Sequence, residues 1–320
     1  MDYLNNNILV VGFGSIGRRH VQSLLDVGFK NIHILDSDYS RISTNLEVIG
    51  YSKENVNILD DIDQINFMLD LAIISTSAFP RYQIVQNLIS KGVKNYLLEK
   101  IVFQSTQQFK NVISSLSAID GKAYCNFPNR YITNYMEIRS VLAEMKTNST
   151  LSMSVRGGDI GIACSGVHYL DLFEYLTNSQ IAGCSSSLNQ CDEVNKRGSE
   201  YLDFSGVLYA HNMRGDSVDI YFDNSHHGNV SISLQFNNKN FILSEGDSIA
   251  YSIHDFEIQK ENFKVIPSSS LTACLVNDIF RNQTSLSTIQ ETANVHSFLF
   301  KECLNEINEV YTEAAICPIT

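Results

Sequence analysis

Apolar and polar positions in the first third of the chain fall into repeating blocks. Ile8-Leu9-Val10-Val11 is an unbroken apolar run, as expected of a strand buried on both faces. Val21, Leu24 and Leu25 then recur at the spacing of one helix face. The pair of patterns repeats. Asn31 to Asp36 reads as a second strand, Arg41 to Ile49 as a helix and Val56 to Ile58 as a short third strand. Asp61 to Met68 reads as another helix, and Asp70 to Ser75 as a buried strand. Pro80 opens a helix that Ile84, Val85, Leu88 and Ile89 continue and Gly92 ends. Tyr96 to Leu98 is the next strand, and Ser105 or Thr106 caps a helix running to about Ile119. Strand alternating with helix predicts a parallel sheet covered on both faces.

The rhythm changes after Gly121. Ala123 to Phe127 reads as a strand, Arg130 to Met145 as a helix, Leu151 to Arg156 as a half-buried strand and His168 to Leu176 as a short helix. Short strands follow at Gly206 to Ala210, Ser217 to Phe222, Asn229 to Phe236, Phe241 to Ser244 and Ile249 to Ile258, separated by turn residues such as Asp223-Asn224 and Asn237-Asn238. A last helix spans roughly Thr288 to Val310. The reading is therefore an α/β chain: a Rossmann-type domain over 1–122, then an α+β domain with an open, mostly antiparallel sheet over 123–320. The tyrosines and phenylalanines of the second half read as sheet core.

The first strand runs into Gly12-Phe13-Gly14-Ser15-Ile16-Gly17, a Gly-x-Gly-x-x-Gly turn opening a helix. That setting is the dinucleotide fingerprint. Gly12 suits the sharp turn, Gly14 leaves room for a pyrophosphate, and Gly17 lets the helix pack on the strand. The N–H groups of the helix start would face the phosphates. Asp36, at the end of the second strand, is placed to accept the hydroxyls of a ribose, which favours NAD over NADP. Ser75 and Thr76 end the strand that would border the same crevice. Arg18, Arg19 and His20, inside the first helix, read as solvated.

Composition narrows the class. The 320 residues suffice for two domains, and 44% hydrophobic with 18% charged content is ordinary for a globular protein. A formal net charge of −12 argues against nucleic acid or an anionic membrane as partner, because phosphates would be repelled. The seven cysteines are scattered, with no Cys-x-x-Cys pair, and read as free thiols in a reducing cytoplasm. The first residues lack a basic segment with an apolar signal core, and no apolar run is long enough to cross a bilayer. No metal set is visible: His226-His227 is an isolated pair beside a turn.

Taken together, the chain resembles the Gfo/Idh/MocA oxidoreductase family over nearly its whole length. The resemblance rests on the glycine turn, on Glu99-Lys100 where the family has Glu-Lys-Pro, and on Gly166-Val167-His168-Tyr169-Leu170-Asp171, similar to its Gly-x-His-x-x-Asp segment at a helix start. The ending Cys317-Pro318-Ile319-Thr320 is also similar to family tails. The resemblance implies an NAD(P)-binding domain with Glu99 and Lys100 near the cofactor. It also implies a second domain that holds the substrate and often forms the oligomer contact. Family substrates are mostly sugars, nucleotide sugars and cyclic polyols. Two departures stand out. Ile101 replaces the family proline, and Cys164 stands four residues before His168, where many members carry an aspartate. A thiol is a poor substitute for a carboxylate in a proton relay at neutral pH.

Oxidising a carbinol needs a hydride acceptor, a base for the hydroxyl proton and charge to steady the alkoxide. Lys100 fits the last role, or the base if burial lowers its pKa. His168 titrates near neutrality and suits proton exchange, and Asp171, one turn on, would orient it. The reading has Lys100 and His168 meeting beside the nicotinamide. Asn126, Arg130 and Arg156 suit substrate hydroxyls, a carboxylate or a phosphate, and each fits a structural role equally well. The function expected is an NAD-dependent oxidoreductase acting on a sugar or nucleotide-linked sugar, with surface-glycan synthesis as a natural setting. The alternatives are a catalytically silent dinucleotide-binding sensor and a lyase or epimerase using transient oxidation.

Overall fold

The structure is a computed structural model that describes residues 3–144, 149–158, 160–223, 228–254 and 257–320. It divides into two compact units, each woven from three stretches of chain. One comprises Met1–Phe103, Gln108–Pro128 and Ile266–Gln290; the other comprises Gln104–Gln107, Asn129–Val265 and Glu291–Thr320.

The first unit carries six strands: β1 (Asn7–Val11), β2 (Asn31–Leu35), β3 (Asn57–Leu59), β4 (Leu71–Ile74), β5 (Asn95–Leu98) and β6 (Lys122–Cys125). They lie in the order β3-β2-β1-β4-β5-β6, every neighbour parallel. This is the doubly wound Rossmann order, whose sequence reverses between β1 and β4. Helices α1 (Ser15–Val27), α2 (Ser40–Val48), α3 (Ala78–Ser90) and α4 (Thr106–Ala118) make the connections. The unbroken apolar runs now have their reason: Ile8, Leu9 and Val10, like Leu71 to Ile74, are fully buried.

The helix expected over Asp61 to Met68 does not form. Only a 3₁₀ turn, Ile62–Gln64, is present. The Asp61 carboxylate accepts the Asp63 N–H, and the Gln64 side chain accepts the Asp60 N–H. Such local side-chain bonds compete with the helical ladder.

In the second unit the elements are α5 (Thr133–Glu144), β7 (Ser152–Gly158), α6 (Ile162–Thr177), β8 (Ile181–Gln190), β9 (Phe204–Asn212), β10 (Ser217–Asp223), β11 (Ser231–Phe236), β12 (Lys239–Ser244), β13 (Ile249–His254) and β14 (Glu257–Asn262). The eight strands form one sheet, β14-β13-β12-β11-β7-β10-β9-β8, antiparallel except where β7 meets β10. One face is core. Leu208, Ile220, Val155, Ile232, Leu243 and Ala250 form a single cross-strand row, all buried. Each leucine, isoleucine or valine of that row contributes about 1.5–3 kcal/mol by leaving water. Helix α6 packs on β9 and β10, and α5 on α6. Not all the aromatics are core as expected: Phe204, Phe222 and Phe236 are buried, whereas Tyr209, Tyr221 and Tyr251 are exposed.

After β14 the chain returns to the first unit as α7 (Ser268–Phe280), which packs on α1. The last helix is α8 (Ile289–Glu306). The single strand expected over Ile249 to Ile258 is instead a hairpin of β13 and β14, with Ile253 opposite Ile258. Helix α6 starts six residues before His168, so the segment Gly166 to Asp171 lies inside it. Asp203 is the cause, since its Oδ1 accepts the N–H groups of Ala163 at 2.9 Å and Cys164 at 3.4 Å. A cap supplied from so far along the chain leaves no local signal. No described helix is long and apolar enough to cross a membrane. The pair His226-His227 lies outside the described residues.

Candidate active site

The glycine turn joins β1 to α1 at the carboxyl end of the first sheet. Gly12 has φ +86°, and a Cβ there would lie 2.8 Å from the Thr76 nitrogen. Gly17 sits under the turn, where a Cβ would be 1.9 Å from the Gly12 carbonyl oxygen. Between them Gly14, at φ −74°, caps α1 with no side chain, and a Cβ there would touch nothing within 4 Å. The helix therefore opens without a side-chain cap, and Gly14 and Ser15 at its start are exposed. This cradle fits a pyrophosphate.

The rest of the loop is held from behind. Ser75 donates its hydroxyl to the carbonyls of Gly12 at 2.7 Å and Val11 at 3.1 Å. Thr76 donates to the Ser77 carbonyl. Phe13 is buried, and its N–H donates to Asp36 Oδ2. Asp36 Oδ1 accepts the Asp38 N–H at 2.7 Å, so this carboxylate is anchored between the glycine turn and the end of β2. Asn45 donates to the Phe13 carbonyl at 2.6 Å. Arg41 is paired with Asp38 at 2.6 Å and is exposed.

At the end of β5 stand Glu99 and Lys100. Lys100 is 7% exposed, and the peptide bond that follows it, to Ile101, is cis. Glu99 Oε1 receives His20 Nε2 at 3.0 Å and the Asn126 amide. Burial alone would raise the Glu99 pKa. The hydrogen bond and charge of His20, the Asn126 amide and the nearby Arg81 guanidinium outweigh it and hold the carboxyl down at about 2. His20 is not solvated, as expected of it, but fully buried, with Nδ1 2.8 Å from the Thr272 hydroxyl on α7. Its partners lie far away in sequence, so nothing near His20 announces them. Arg81, fully buried on α3, is a second residue the sequence reading missed; it donates to the carbonyls of Thr76, Glu99 and Ile101.

The remaining candidates belong to the second unit. His168 is half-buried on α6. Asp171, one turn on, is fully buried and accepts a two-pronged bond from Arg130, Nε to Oδ2 and Nη2 to Oδ1, each 2.8 Å. Burial disfavours the Arg130 charge, but Asp171 more than restores it, and the Arg130 pKa is raised. Glu174, one further turn on, accepts the Ile181 N–H at 2.8 Å and the Asn294 amide at 3.2 Å. Burial pushes its carboxyl up to about 7. Arg156 is exposed, pairs with Asp219 and stands 5.9 Å from the Tyr221 ring centre. Asn126 belongs to the first unit, where its amide donates to Glu99. Among the described residues no group of three or more His, Cys, Asp or Glu is arranged to hold a metal ion.

Comparison with known proteins agrees with the geometry of the first unit. Residues 6–123 match the family model GFO_IDH_MocA, described as an oxidoreductase family with an NAD-binding Rossmann fold. No curated protein matches the chain. Among solved structures, UDP-N-acetylglucosamine 3-dehydrogenase GnnA from Acidithiobacillus ferrooxidans is similar at TM-score 0.76 and 11% identity, over 92% of this chain and 96% of that one. An oxidoreductase from Agrobacterium radiobacter, in complex with NAD+, L-tartaric acid and magnesium, is similar at TM-score 0.74 and 14% identity, over 95% and 97% of the two chains. An oxidoreductase domain protein from Kribbella flavida gives TM-score 0.75 and 12% identity, over 95% and 98%. At these identities the likeness is one of fold.

Proposed function

With residues 6–123 carrying the NAD-binding Rossmann domain of the Gfo/Idh/MocA oxidoreductases, we propose that the chain is an NAD-dependent oxidoreductase interconverting alcohol and ketone on a sugar or nucleotide-linked sugar. One observation carries the reading: a buried lysine, Lys100, held at the carboxyl edge of the same sheet whose glycine turn leaves Gly14 open. NAD, when bound, supplies the hydride acceptor. Gly12 to Gly17 hold its pyrophosphate, Asp36 its ribose, and Ser75, Thr76 and Glu99 border it. Lys100 steadies the alkoxide, and His168 exchanges the hydroxyl proton. Asp171 orients His168 from one turn on while it carries the Arg130 fork. Asn126, Arg130 and Arg156 are assigned to substrate polar groups. The substrate class draws on GnnA, a UDP-sugar dehydrogenase of the same fold.

The test is the appearance of reduced-nicotinamide absorbance with a panel of UDP-sugars, free sugars and cyclic polyols. Reduction with at least one is expected. Tight NAD binding without reduction by any would favour the silent sensor, and a cofactor retained through purification would favour the lyase or epimerase. Paired dissociation constants should favour NAD over NADP by about tenfold or more, because a 2′-phosphate would meet the Asp36 carboxylate. Asp36→Ala should narrow the gap, and tighter NADP binding by the unmodified protein would overturn the assignment.

The setting inferred is cytoplasmic, in keeping with seven scattered cysteines and no Cys-x-x-Cys pair. A homo-oligomer through the second sheet is also proposed. Its outward face carries the cross-strand row Tyr209, Asp219, Ser154, Ser233, Ile242 and Tyr251, with three exposed large side chains. Light scattering on the purified protein reads this, and a monomer at micromolar concentration would refute it.

A further inference from the structure

Arg81 is a cation in the fully buried interior of the first unit, and the chemistry above leaves it unused. It stands in the first turn of α3, directly after β4. Nη2 donates to the carbonyl of Thr76, just past the end of β4. Nη1 donates to the carbonyls of Glu99 and Ile101 and reaches that of Val102 at 3.3 Å. These acceptors bracket Lys100: one precedes it and two follow it. A guanidinium is planar, permanently charged and fixed in the directions of its donors, so it holds carbonyls where an ammonium would only attract them. Glu99 is its nearby countercharge, and the Glu99 side chain is tied in turn to His20 and Asn126.

We propose that Arg81 is a positioning residue for Lys100: its guanidinium ties the end of β4 to both sides of the Glu99–Lys100 turn and so fixes where the lysine ammonium stands. The proposal rests on the reading of Lys100 as the group that steadies the alkoxide. It gives a reason for an arginine in a place where burial of a charge is costly unless its donors are met. It also divides the labour at the turn, with Arg81 holding the main chain and His20 and Asn126 holding the Glu99 carboxylate.

Trace acetylation with acetic anhydride, read by mass spectrometry, tests this on the full chain without any substrate. In the unmodified protein Lys100 is buried and should react slowly relative to exposed Lys94. In Arg81→Met the Lys100/Lys94 ratio should rise about tenfold or more, the opening expected from losing a charged hydrogen bond. Arg81→Lys keeps the charge, but its single nitrogen cannot span the Thr76 and Ile101 carbonyls, so the ratio should rise partway. Arg81→Lys decides by the same ratio if Arg81→Met does not fold. Alkylation of buried Cys125, on neighbouring β6, is the control. A Cys125 rate that rises in parallel would mean general loosening and would overturn the positioning role, as would an unchanged Lys100 ratio in a folded variant. The two readings separate cleanly. If Arg81 variants release Lys100 but Lys100→Met leaves NAD reduction intact, the positioning holds and the catalytic reading fails. If the ratio stays constant, the positioning fails and the catalytic reading is untouched.

Discussion

The three glycines of the nucleotide turn share a motif but not a physical duty, and substitution should separate them. Gly14 has an ordinary φ of −74° and open space where a Cβ would go, so Gly14→Val should fold and melt near the unmodified protein. The new side chain would fill the place proposed for the pyrophosphate, and calorimetric titration should show NAD binding lost. Undiminished affinity would place the phosphates elsewhere. Gly17→Ala should do the reverse. Its Cβ would overlap the Gly12 carbonyl, forcing backbone apart at a cost of about 1–3 kcal/mol or more, read as a fall in melting temperature. The motif was legible in the sequence because its spacing is local. His20 and Arg81 were not, because what defines them is distant: Glu99 and Thr272 for one, four main-chain carbonyls for the other.

At the scale of elements, the first sheet is readable because its central strands, β1 and β4, are unbroken apolar runs buried on both faces, so pattern and structure coincide there. The second was harder. Strand β8 is not legible in the sequence because Ala182 to Gln190 is mostly small and polar, and on this sheet edge only Ile181 and Leu188 are buried. The hairpin of β13 and β14 looks like one strand in the sequence, since alternation alone does not mark where a chain reverses. The start of helix α6 is not legible in the sequence because its cap, Asp203, comes from another part of the fold. That helix also carries a pH dependence. Burial, opposed by the Ile181 N–H and the Asn294 amide, raises Glu174 from an ordinary value near 4.5 to about 7. Between those values the folded state holds more protons than the unfolded one, so stability falls as pH rises. The melting temperature should drop from pH 5 to pH 7, and Glu174→Gln should reduce that drop. Glu245, also raised by burial beside Tyr169 and Tyr135, tilts the same way, so part of the slope should survive. Glu99 is shifted down, and the stability it lends is lost only in more acidic solution, as pH falls toward 2. Parallel slopes in variant and unmodified protein would exclude Glu174 as the source.

Across the whole molecule the chain passes between its two units more than once, and α7 brings residues 266–290 back to the first. This return was not legible: its sequence, Ser268 to Phe280, declares a helix face but not the partner it covers. The proposed chemistry likewise draws on both units, Lys100 from one and His168 from the other. Lys100→Met keeps most of the side chain's bulk and removes its charge and donors. His168→Ala removes the titrating ring and leaves α6 with a good helix former. Each should lower turnover by about a hundredfold or more, the scale of a lost electrostatic or acid–base contributor. NAD affinity should change little in either, because the glycine turn and Asp36 are intact. Steady-state rates with whichever sugar reduces NAD decide the matter. Wild-type rates in both would remove these residues from the mechanism. Loss with Lys100→Met alone would make Lys100 the base as well as the charge, an arrangement in keeping with a thiol, Cys164, rather than a carboxylate, four residues before His168.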